Sequence, residues 1–145
     1  MSRSVAIICA LAAGSLVALQ PPANAVMAQH VGDLGATLVS LVISLTIIAV
    51  LLAVFGDPGR LSGIGHFRPE WLIGGVGGAA VVAVGLITVR PLGTGAVVAL
   101  LVASQLVLSI VSDRFGWFGS HHALTAGRIA GALLVVLGTA LITRF

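Results

Sequence analysis

An all-α membrane protein with five transmembrane helices is the fold this sequence predicts, and three observations predict it. Of 145 residues, 59% are hydrophobic and only 8% are charged, against about 25% charged in a soluble domain. With a mean hydropathy of +1.20, such a chain cannot cover a water-facing surface. Five apolar runs separate along it, at about residues 5–27, 34–55, 71–89, 92–112 and 123–143; about 20 apolar residues cross a hydrocarbon core of about 30 Å. The runs lack the period-two alternation of barrel strands, and open sheet edges are not viable in lipid, so the segments read as helices. A chain of 145 residues then holds a single five-helix domain, with no room for a soluble one.

The first run, Val5 to Met27, is interrupted by Pro21-Pro22 and admits two readings. Arg3, the apolar stretch to Leu19 and the small-x-small end Ala23-Asn24-Ala25 have the layout of a cleavable secretory signal. Alternatively the segment stays as the first membrane helix, and Gln20 and Asn24, four apart, share one face of it. A polar pair at membrane depth is a functional-site candidate by default.

The second run, Leu34 to Phe55, carries Thr37, Ser40 and Ser44 on one face. The loop from Gly56 to Glu70 holds the turn signals Asp57-Pro58-Gly59 and Gly63-Ile64-Gly65. The third run begins at Trp71 and has Gly74 and Gly78 as a small-xxx-small pair. Such pairs let backbones approach closely, either within one protomer or at a dimer seam. Arg90-Pro91 punctuates the chain before the fourth run, since proline suits a helix's first turn. The fourth run places Gln105, Ser109 and Asp113 four apart on one face. Phe115, Trp117 and Phe118 follow as an interfacial aromatic cluster. The fifth run repeats the small pair at Gly127 and Gly131, and Arg128 sits more than a turn inside it.

Polar stripes on three helices imply that those faces meet, because polar groups in lipid are costly. Serine and threonine have an alternative in bonding their own backbone four residues back. The carboxamides of Gln20, Asn24 and Gln105 do not, since their donors and acceptors exceed what one helix satisfies. They are therefore expected to line one central, partly hydrated cavity. Asp113 and Arg128 border the same loop and read either as a structural ion pair, or with Arg128 reaching toward the headgroups, or as a charged wall at the cavity mouth.

Several function classes are excluded. The seven basic residues are all arginine and are scattered toward the ends of apolar runs, so no basic stripe for nucleic acid exists. There is no nucleophile elbow, phosphate loop or zinc-binding helix, so an enzyme is not expected, nor a cofactor. His121-His122 has no nearby cysteine or acidic cluster to complete a metal site and reads as an interfacial loop. Cys9 is the single cysteine, so no disulfide forms within one chain. Arg3, Arg60, Arg68, Arg114 and Arg128 fall on the amino-terminal side of five crossings and Arg90 and Arg144 on the other. That bias predicts a cytoplasmic N-terminus.

Taken in order, these residues resemble the YdcZ-like family of the drug/metabolite transporter superfamily. The resemblance covers nearly the whole chain. Gln20 to Asn24, with Met27 where leucine is frequent, is similar to the family's first-helix motif. Ser40, Trp71 to Gly78, Pro91-Leu92-Gly93, Ser104-Gln105 through Ser109 to Asp113-Arg114-Phe115-Gly116, and Arg128 to Gly131 follow. Ser104 stands where glycine is expected, and Arg114 where histidine is common. The resemblance favours a retained first helix. It implies one half of a ten-helix inverted repeat in a bacterial inner membrane, exporting a small metabolite or drug-like solute. A lone half is then expected to form an antiparallel homodimer, or a heterodimer with a related five-helix protein, with the solute site at the interface. Gln20, Asn24, Ser40, Gln105, Ser109, Asp113 and Arg128 are the expected solute-contacting residues. The other readings are a non-transporting accessory subunit and a narrow channel at a dimer interface. No helix-one acid is present for the proton coupling that small multidrug transporters use.

Overall fold

A computed structural model describes residues 2–66, 68–117 and 123–145. It contains five long helices: α1 (Arg3–Val31), α2 (Asp33–Phe55), α3 (Leu72–Leu92), α4 (Thr94–Phe115) and α5 (Ala126–Arg144). All five are long and apolar enough to cross a membrane. Two 3-10 segments, Pro58–His66 and Pro69–Trp71, occupy the loop between α2 and α3. Its acids Asp57 and Glu70 pair with Arg60 and Arg68 at exposed positions. The chain divides into two compact units, Met1–Ile87 and Thr88–Phe145.

The helix ends differ from those the apolar runs predict, and glycine is the reason. α1 does not stop at Met27 but continues to Val31, and α2 starts at Asp33. The whole junction is Gly32, at φ 74° and ψ 166°. Only glycine occupies that region without strain. Gly32 still serves both helices, since its N–H donates to the Ala28 carbonyl and its carbonyl accepts from the Ala36 N–H. Gly93, at φ 77° and ψ 157°, repeats the device between α3 and α4. Its N–H donates to Val89 and its carbonyl accepts from Val97. Pro91 therefore lies in the last turn of α3 and not in the first turn of α4. The turn is made where the backbone can reach positive φ, two residues later.

Pro21 and Pro22 likewise do not interrupt α1. Their nitrogens cannot donate to the carbonyls of Val17 and Ala18, the partners four residues back. The Ala18 carbonyl loses its i+3 donor as well, because that nitrogen belongs to Pro21. In water an internal proline costs about 3 kcal/mol; membrane helices tolerate it where surroundings re-satisfy the freed groups.

In the first unit, α1 and α2 pack along each other and α3 docks on them through a small core. Ala36 and Leu86 are fully buried, with Ala28 beside them and Met27 at the edge. α3 comes close at Gly85, where a Cβ would stand 3.4 Å from Pro21 Cγ. The close-approach glycine is thus Gly85. Gly74, Gly78, Gly127 and Gly131 have none of the described atoms outside their own helix backbone within 4 Å of a Cβ position.

In the second unit, α4 and α5 pair with Ala96, Val97 and Ala103 buried on α4 and Thr139 on α5. The Thr139 hydroxyl donates across the seam to the Ala99 carbonyl at 3.2 Å. α4 ends on Gly116 in the left-handed conformation. α5 begins at Ala126, with the Thr125 side chain accepting from the Arg128 N–H. Arg128 is therefore in the first turn of α5 and not more than a turn inside it. Phe115 stacks on Trp117 at 6.2 Å between centroids; Phe118 and His121-His122 lie outside the described residues.

Candidate functional site

Two side chain–side chain contacts join spans among the described residues, one in each unit. In the first, Asn24 Nδ2 donates to Ser40 Oγ at 3.2 Å, joining α1 to α2. Both residues are buried, at 5% and 8% exposure. Helix periodicity explains the placement: Pro21, Asn24, Ala25 and Ala28 form the buried face of α1, and Ala36, Thr37 and Ser40 that of α2. The small residues on both faces let the backbones come near enough for two short side chains to meet.

The self-bonding alternative holds for most hydroxyls but not for Ser40. Thr37 donates to the Asp33 carbonyl, Ser44 to Ser40, Ser104 to Leu101 and Ser109 to Leu106. Ser40 Oγ instead accepts from a carboxamide on another helix. Gln20 is half-buried on α1, and no described residue is found bonded to its side chain. Asn24 and Ser40 thus form one contact, and Gln20 stands a turn away on α1.

In the second unit Arg128 Nη2 donates to Asp113 Oδ2 at 2.6 Å. Both side chains are partly exposed, at 37% and 24%. Arg128 Nη1 also reaches the Ala123 carbonyl, at 3.5 Å. Each charge opposes its own helix dipole: Asp113 lies in the last turn of α4, Arg128 in the first turn of α5. Across the seam each meets the end it suits. The pair therefore ties two helix termini together and neutralises both charges. Gln105 and Ser109 are exposed on α4.

One feature was not read from the sequence. An open groove of about 620 Å³ runs along α4 and α5, lined by Ala103, Ser104, Val107, Val136, Thr139 and Thr143 among others. At about 100° per residue it lies on a different side of α4 from Gln105, Ser109 and Asp113, none of which line it. Thr139 and Thr143, four apart on α5, were the available signal. Both spend their hydroxyl protons on backbone carbonyls, so the groove is apolar in effect. Among the described residues no cluster of three metal-ligating side chains occurs.

Five apolar helices carrying a buried carboxamide–hydroxyl contact and a neutralised ion pair define a polytopic membrane protein with polar groups inside its spans. The family model described as "Putative inner membrane exporter, YdcZ" matches residues 5–141, and the chain belongs to this family of inner-membrane exporters. No curated protein and no solved structure matches the chain.

Proposed function

We propose that the chain exports a small polar solute, and that Asn24 and Ser40 are the centre of its solute-contacting set. The carrying observation is their buried contact inside two otherwise apolar spans. Hydrogen bonds between membrane helices contribute only about 0.6 kcal/mol on average. A stability role so small is a weak reason to place a carboxamide at membrane depth, whereas solute recognition requires one. Gln20, a turn from Asn24 on α1, extends the set within the first unit; Gln105, Ser109, Asp113 and Arg128 are the solute-contacting candidates of the second, with Asp113 and Arg128 toward its cytoplasmic end. The working form is an antiparallel dimer, as an odd number of crossings with one half-repeat requires for an inverted pair. Gly74 and Gly78, with room for a Cβ among the described residues, are the seam on which it forms.

Flux through the full chain in proteoliposomes tests the reading. Asn24→Ala should lower saturable flux at least tenfold while the melting temperature in detergent falls by only a few degrees. Unchanged flux would leave the contact a packing device; flux that does not saturate would favour a channel, and no flux an accessory subunit.

A further inference from the structure

Resting on that transport reading, we infer that the solute is an uncharged polar molecule bearing hydroxyl or carboxamide groups, recognised by the free edge of the Asn24–Ser40 contact. Asn24 Nδ2 is committed to Ser40 Oγ. That bond fixes the carboxamide plane and leaves Oδ1 as an acceptor with no donor among the described residues. Asn24 is only 5% exposed, yet no described side-chain polar atom is both sealed from solvent and without a partner. Oδ1 therefore keeps some accessible surface on a nearly buried residue. Ser40 Oγ is used as an acceptor, whereas Thr37, Ser44, Ser104 and Ser109 spend their protons on carbonyls. The edge thus offers one acceptor and one donor, the complement of a hydroxyl or a carboxamide.

The surroundings set the charge. Residues 4–29, 34–55 and 72–87, the interiors of α1, α2 and α3, contain no Asp, Glu, Lys, Arg or His. Nor do residues 94–112 and 129–143. Asp113 and Arg128 sum to zero through their contact. A charged solute at the depth of these stretches would meet no counter-charge within them, and an unpaired charge there is expensive. A neutral solute exchanges water hydrogen bonds for those of Asn24 and Ser40 without that penalty.

Three hexose derivatives of different charge make the test. The full chain in proteoliposomes is offered labelled N-acetylglucosamine, glucosamine or glucuronate, with the membrane potential set by a potassium gradient and valinomycin. We expect saturable flux of N-acetylglucosamine that changes less than twofold when the potential is imposed, and at least tenfold less flux of the other two. Ser40→Ala should lower that flux at least fivefold, and Ser44→Ala should leave it within twofold, both variants eluting as the parent does by size exclusion. Asn24→Asp should lower it at least tenfold. Flux confined to glucosamine or glucuronate, or neutral flux unaffected by Ser40→Ala and Asn24→Asp, would overturn the inference and leave transport standing. Absence of flux for all three would overturn the transport reading, and the inference with it.

Discussion

Asp113 and Arg128 show how two charges that each oppose a helix terminus become favourable as a pair. Alone, either would oppose its helix terminus, an unfavourable term of about 0.3–1 kcal/mol. Together, at 2.6 Å, they reverse both terms. Both are partly exposed, so the coupling belongs to the range of about 1 kcal/mol and not to that of sealed ion pairs. A double-mutant cycle on thermal unfolding should find Asp113→Asn and Arg128→Gln each destabilising, with the double variant less destabilised than the sum. Additive losses would mean that the two residues act as separate interfacial anchors. The sequence put these two at one loop and left their role open. What the sequence missed is that α5 starts at Ala126, which a hydropathy profile does not register because Ala123 and Leu124 are apolar too. Ser40 was similarly ambiguous, since self-bonding and cross-helix bonding share the same sequence pattern. Only the partner on α1 separates it from Ser44.

At the scale of elements, the helix count was legible because lipid leaves few alternatives for five long apolar runs. The ends were not, because proline was given more weight than glycine. Pro21, Pro22 and Pro91 all lie inside helices, while Gly32 and Gly93 make the turns at φ 74° and 77°. Proline only removes a donor, and a membrane helix can lose one and continue; a one-residue junction needs positive φ, which a side chain opposes. Gly32→Ala and Gly93→Ala should each destabilise by about 1–3 kcal/mol, read as a fall in melting temperature in detergent. Gly74→Ala and Gly78→Ala should leave the monomer as stable or more so, since alanine is the better helix former by about 1 kcal/mol and none of the described residues occupies the space. A large monomer loss at Gly74 would mean that the face is packed. Loss of dimer alone would identify it as the seam.

At the scale of the whole molecule, family membership supplies the exporter class, and the arginine bias supplies an orientation to test. Single-cysteine probes near either terminus, in a background lacking the exposed Cys9, should react from both faces of sealed vesicles if copies insert in both orientations. Labelling of all C-termini from one face would contradict a self-paired antiparallel dimer and point to a related partner of opposite orientation.

The claim on which the functional account rests is that the Asn24–Ser40 contact faces solute and not only packed helix. Asn24→Cys in the Cys9-free background tests it most directly, with a membrane-impermeant thiol reagent added to vesicles that carry out flux. The account predicts that the reagent modifies residue 24, that modification abolishes the remaining flux, and that transported solute slows the reaction at least several-fold. A thiol that stays unmodified while flux continues, or one whose labelling is indifferent to solute, would contradict it.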